Sequence, residues 1–216
     1  MAWLNELGVI AISARTLDID LARRQQLKLA ATLSFLPTMQ ATGLPFVPVP
    51  GLPSSAPSTS VKLPGIQGLR VDVLAPGEQL GAIVRIPELQ WAAQAVPYYD
   101  YLLEAPEPGA MLAGGHCIPV RLPQAARLVW HKLYSSTQRH GFPEKAAKDQ
   151  QQALVLAAAL VELDPAALQD AFAAAPVSMT AWIKPLHTVL LRKAGGHEML
   201  MEILRECLAG SDGASA

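Results

Sequence analysis

The chain changes character at residue 123. Its 18 prolines and 15 glycines gather mostly in the first 125 positions, where they cut the sequence into short segments. Helices rarely survive such punctuation, whereas short strands joined by turns do. From residue 123 onward the pattern reverses. The runs "PQAARLVWHKLYSSTQRH", "PEKAAKDQQQALVLAAALVEL", "PAALQDAFAAA", "PVSMTAWIKPLHTVLLRKAG" and "HEMLMEILRECLA" predict five helices, several opening with proline in the first turn, where its missing N–H is not needed. Pro185 inside the fourth run should kink or end that helix.

The first half reads as a mixed α/β region. A short helix is expected over residues 2–9. The run "TLDIDLA" alternates strictly, with Leu17, Ile19 and Leu21 on one side and Asp18 and Asp20 on the other. That is the pattern of a half-buried strand. "RRQQLKLAATLSFL" restores helical spacing, with Pro37 just beyond the expected end. The proline-dense "PFVPVPGLPSSAP" predicts an edge strand and a surface loop. "STSVKLPGIQGLRVDVL" predicts a hairpin turning at "PGIQG", with Asp72 facing away from Val71 and Val73. Residues 98–103 and 116–122 are further strand candidates, separated by the turn-rich "EAPEPGAMLAGG".

About half of the 216 residues are apolar and the formal net charge is −1, so no bulk positive field exists to attract nucleic acid. Cys117 and Cys207 stand far apart with no C-x-x-C partner, which fits structural thiols in a reducing compartment. The N-terminal stretch lacks a signal-peptide pattern, and no run of 18 apolar residues occurs. These features predict a soluble, cytoplasmic protein without a membrane span. Neither G-x-S-x-G, G-x-G-x-x-G nor a P-loop occurs.

Asp18 and Asp20 are costly to bury unpaired, so they need solvent or a cation. Two carboxylates on one strand face can share a hard cation, and Mg²⁺ prefers such oxygen donors. Asp72, on a later strand, is placed to be a third. The other reading of the pair is a solvated edge face, or a surface pair between Arg15 and Asp18. For Lys132, Arg139 and Lys148 both readings are open: phosphate-pairing cations, or solvated helix surface. His116 and Cys117 point to opposite sides of a strand, which disfavours a shared metal. His131 reads as a partly buried helix histidine. Trp182, Leu186, Leu190 and Leu191 have near-helical spacing and read as core, with a partner surface as the alternative.

Four stretches, "RTLDID", "RVDVL", "HKLY" and "RHGFPEKAAKD", in this order over residues 10 to about 160, resemble the polymerase-β-like nucleotidyltransferase superfamily. Within it, the likeness is to the bacterial minimal nucleotidyltransferase-like proteins. The resemblance implies an α+β fold: a mixed sheet with flanking helices over residues 1–122, a helical domain over 123–210, and a disordered tail over 211–216. It implies transfer of a nucleotidyl group from a nucleoside triphosphate such as ATP to a hydroxyl, with release of pyrophosphate. By that likeness Asp18 and Asp20 hold two Mg²⁺ ions, and Asp72 completes the inner ion and helps deprotonate the acceptor. Lys132 pairs with the triphosphate, assisted by Arg139 and Lys148.

The superfamily also carries a Gly-Ser element before the first aspartates, whose helix N-terminus grips the triphosphate. "MAWLNELGVIAISA" has no Gly-Ser. This departure keeps a second expectation open: a non-catalytic partner or regulatory protein of the same fold, as in a toxin–antitoxin pair. A homo-oligomer or a partner protein that supplies the missing element is the third expectation. The acceptor is not readable from the chain.

Overall fold

A computed structural model describes residues 18–23, 32–113 and 115–209. The expected helix at 2–9, the Gly-Ser region, Arg15 and the tail at 211–216 lie outside the described residues. So does most of the helix expected within "RRQQLKLAATLSFL". The fold is α+β, as the sequence predicts. The described residues divide into two compact units, one within residues 18–103 and the other within residues 104–209.

The first unit contains β1 (Asp18–Ala22), α1 (Phe35–Gln40), β2 (Val47–Pro48), β3 (Ser60–Lys62), β4 (Arg70–Pro76), β5 (Ile83–Ile86), β6 (Trp91–Val96) and α2 (Tyr99–Leu102). Its sheet runs β2-β3-β4-β6-β5, and β1 also pairs with β4. β4 is the organising strand. It pairs antiparallel with β3, as the expected hairpin requires, and parallel with both β1 and β6. Its alternation sends Val71, Val73 and Ala75 into a core with Phe35, Phe46, Val61, Ile86 and Ala93. Gly77 follows it, where a Cβ would sit 2.6 Å from the Ala95 Cβ. No side chain fits there without movement.

Several local expectations are corrected. Residues 32–34 are not helical; α1 begins at Phe35 and contains Pro37 in its first turn, where a missing N–H costs nothing. Residues 98–103 hold a short helix, not a strand, entered through Tyr98 at φ 56°. β6 carries no strong strand signal, because "WAAQAV" is alanine-rich and alanine is depleted in strands, whereas β5, "IVRI", has β-branched residues that favour a strand and is not among the expected ones. The apolar side of β1 is not sealed: Ile19 and Leu21 remain 36% and 42% exposed. Leu21 instead borders a cleft of about 190 Å³ with Phe35, Val73 and Leu89.

In the second unit, β7 (Glu107–Ala113) and β8 (His116–Leu122) form a separate antiparallel hairpin. β8 lies where the sequence predicts a strand, whereas β7 occupies the segment read as turns. Six helices follow: α3 (Ala125–Thr137), α4 (Pro143–Leu163), α5 (Pro165–Ala173), α6 (Val177–Ile183), α7 (His187–Lys193) and α8 (Glu198–Leu208). The fourth expected helix is divided at Pro185 by a 3₁₀ turn over Lys184–Leu186. That break changes which residues face inward. Ile183 and Leu190 are buried while Trp182 is 51% exposed, so Trp182 is not the core residue its spacing suggests.

Pro143 and Pro165 open their helices, and Asp164 caps α5 by accepting from the Ala167 N–H at 3.3 Å. The buried Trp130 on α3 packs against Phe172 at 4.7 Å between ring centroids and donates its indole N–H to the Leu168 carbonyl at 2.8 Å. One side chain thus ties α3 to α5 through both packing and a hydrogen bond. Trp130→Ala is expected to destabilise the protein by about 3–5 kcal/mol, and Trp130→Phe by clearly less. Urea unfolding followed by circular dichroism checks the order and the size of both effects.

Candidate functional site

The register of β1 on β4 decides where the carboxylates go. Asp18 lies opposite Arg70 and Asp20 opposite Asp72 in a parallel pair. Directly registered residues of neighbouring strands project from the same face, about 4.8 Å apart along the hydrogen-bonding direction. On the far side of β4, antiparallel β3 sets Lys62 opposite Arg70 and Ser60 opposite Asp72. The face therefore carries two rows: Asp18, Arg70 and Lys62, then Asp20, Asp72 and Ser60. The three aspartates named from the sequence fall on one face of one sheet. The opposite face holds Val61, Val71 and Val73.

The side chains on this face are already engaged. Arg70 donates from Nε to Asp72 Oδ1 at 2.8 Å, and its Nη2 donates to Ser60 Oγ at 2.8 Å. The Ser60 hydroxyl in turn donates to Asp72 Oδ1. Asp72 thus sits in a closed triangle with a cation and a hydroxyl. Among the described residues no three acidic, histidine or cysteine side chains are gathered closely enough to hold a metal ion. Tyr99, buried at the start of α2, has its phenol pushed above the ordinary range, first by burial and then by the negative charge of Asp20. The sequence reading missed Tyr99, since "PYYDY" looks like a strand until its helix is seen.

The basic residues named from the sequence lie in the helical unit. Lys132 on α3 and Arg139, two turns further on, both reach Asp149 of α4. Lys132 Nζ stands 3.2 Å from Oδ1 and Arg139 Nε 3.1 Å from Oδ2. The turn between the helices is made possible by Gly141 at φ 79°, a conformation that glycine adopts without strain. Lys148 is exposed and forms no ion pair among the described residues. Asp149 escaped the sequence reading because "KAAKDQQQ" reads as a solvated helix face; only its spacing from α3 in the folded unit reveals it.

The chain matches a nucleotidyltransferase family over residues 2–176. It belongs to that family. No curated protein and no solved structure matches it. The nucleotidyltransferase match spans both units and contains every residue named above for metal or phosphate, from Asp18 to Asp149.

Other chemistry-bearing residues of the chain stay outside that set. His116 and Cys117 are exposed on β8. His131 is buried on α3 with Nδ1 3.5 Å from Ser135 Oγ, as expected of a helix histidine. His197 caps α8, its Nδ1 accepting from the Leu200 N–H at 3.3 Å, and its Nε2 lies 3.3 Å from Glu162. Among the described residues no helix is long and apolar enough to cross a membrane.

The two thiols differ in environment. Burial, and then the charge of Glu206, pushes Cys207 up to about 11, while Cys117 is exposed. Only the thiolate reacts with alkylating agents. At pH 8 Cys117 is therefore expected to be labelled first, and labelling of Cys207 should accelerate roughly tenfold per pH unit until about pH 11. Mass spectrometry of iodoacetamide time courses checks this, and equal rates at pH 8 would contradict it.

Proposed function

We propose that this nucleotidyltransferase moves a nucleotidyl group from a nucleoside triphosphate to a hydroxyl acceptor, releases pyrophosphate, and depends on Mg²⁺. The observation that supports the reading best is the parallel register that sets Asp20 beside Asp72 on the face that also carries Asp18. Carboxylate oxygens are the donors Mg²⁺ takes, so the chemistry of this set fits the ion. Asp18 and Asp20 would hold two such ions, and Asp72 would complete the inner site and take the proton of the acceptor hydroxyl. The ions supply neutralisation of phosphate charge. Lys132 and Arg139, with Lys148 assisting, are the cations proposed for the triphosphate.

For Asp72 to act as a base, its oxygens must exchange the Arg70 contact for the acceptor. Phosphoryl-type transfer asks chiefly for positioning and charge neutralisation.

A second reading, a non-catalytic partner or regulatory protein of this fold, is favoured by that same triangle of Arg70, Asp72 and Ser60. In that reading Arg70 substitutes for a cation permanently. The two readings differ in how the protein responds to ligand.

Adding Mg²⁺ and a nucleoside triphosphate at about a hundred times the dissociation constant contributes about 2.7 kcal/mol, a Tm rise of roughly 5–10 °C for a chain of this size. The rise is expected in the unaltered protein and absent in Asp18→Ala/Asp20→Ala. Scanning calorimetry with each of the four ribonucleotides checks it; no rise with any nucleotide overturns the catalytic reading. Arg70→Gln removes a half-exposed positive charge from the carboxylate face, and Mg²⁺ binding measured by titration calorimetry is expected to tighten by roughly three- to tenfold. A nucleotide response that appears only in Arg70→Gln would favour the second reading.

A further inference from the structure

We propose that Asp149 is a positioning residue: it orients Lys132 and Arg139 as a matched pair of cations for a polyphosphate. The identity of that ligand as the triphosphate of a nucleotide rests on the nucleotidyl-transfer reading; the geometry of the pair does not.

Asp149 is only 9% exposed, yet each of its oxygens holds a different cation. Burying a carboxylate with its partners costs desolvation that an apolar residue would avoid. Both helices already bury apolar faces, through Val129 and Leu133 on α3 and Ala153, Leu156 and Ala157 on α4. Stability alone gives no reason for an ionic trio between them.

The manner of the grip gives one. Arg139 donates to Asp149 through Nε, and among the described residues no hydrogen bond is made by its two terminal nitrogens. Those nitrogens form the fork that matches phosphate oxygens bidentately. Lys132 gives one of its three N–H donors to Asp149. Both heads remain partly open to solvent, at 26% and 40% side-chain exposure. The trio keeps a net charge of +1, so Asp149 orients the cations without cancelling them.

The neighbouring residue extends the strip. Gln150 donates from Nε2 to Ser136 Oγ at 3.3 Å, and its Oε1 accepts from Lys193 Nζ at 2.6 Å. Lys193 thereby brings a third cation to the polar strip that α4 presents toward α3 and α7.

Charge and positioning make opposite forecasts for one substitution. Asp149→Asn removes a negative charge beside two cations, so simple Coulomb attraction predicts tighter anion binding. If Asp149 orients them, binding weakens despite the added positive charge. The probe is inorganic tripolyphosphate, titrated calorimetrically without Mg²⁺ into the full chain, with cooperative melting of each variant confirmed first. The expected result is weakening of about tenfold or more in Asp149→Asn; unchanged or tighter binding overturns the proposal. If that variant does not fold, Asp149→Glu decides, because it keeps the charge and moves the carboxylate by one methylene. At least about threefold weakening is then expected, and wild-type affinity overturns the proposal.

Failure of this proposal and failure of the nucleotidyl-transfer reading separate cleanly. No binding of tripolyphosphate by the unaltered chain overturns the role of Asp149 while the Mg²⁺ response of Asp18 and Asp20 stands or falls alone. Binding that depends on Asp149 in a protein with no response to Mg²⁺ and nucleotide leaves this inference standing and removes the other.

Discussion

Because β1 runs parallel to β4 with Asp20 opposite Asp72, the charged groups of the sheet have only one arrangement open to them. Side chains alternate along a strand with a period of two, so a slip by one residue would carry Asp18 and Asp20 to the side of Val71 and Val73. The valines of β4 fix that strand in the core, and β1 must then adopt the register that keeps its carboxylates off the apolar side. Packing of ordinary aliphatic residues thereby sets the position of a candidate site to which they contribute no atom.

That arrangement brings its own electrostatic cost. Two carboxylates about 5 Å apart on adjacent strands repel by roughly 1–3 kcal/mol, depending on how much solvent reaches them. Asp72 is relieved by Arg70 and Ser60. Arg70 is also the residue opposite Asp18 in the register of β1 on β4. A divalent cation at the same face would meet the same need more strongly, and would compete with Arg70 for Asp72. The triangle is therefore informative whichever way the protein works: it shows that the face requires positive charge, and it identifies the residue that supplies it from within the chain.

Much of this was legible in the residues, for identifiable reasons. "TLDID" and "RVDVL" alternate cleanly because each strand has one apolar and one charged side, and the hairpin between β3 and β4 is announced by two glycines. The helices after residue 123 are announced by proline at their first turns. What stayed hidden depends on tertiary context. β6 is a strand although alanine-rich, since its place beside β4 outweighs local propensity. Tyr99 reads as part of a strand until Tyr98 turns the chain through a left-handed conformation. Asp149 lies 17 residues from Lys132, a separation no short motif spans. Sequence shows which residues share a face of one element; it does not show which face of another element comes to meet it.

The net charge of −1 conceals a division of labour between the units. The sheet unit concentrates acid on one face, while the helical unit sets Lys132, Arg139 and Lys193 around one carboxylate and one amide. Either half alone has an ordinary explanation, a solvated strand or a helix-surface ion network. The family match covers residues of both units, and the nucleotidyl-transfer reading proposes a role for each: carboxylates for Mg²⁺ in the one and phosphate-pairing cations in the other.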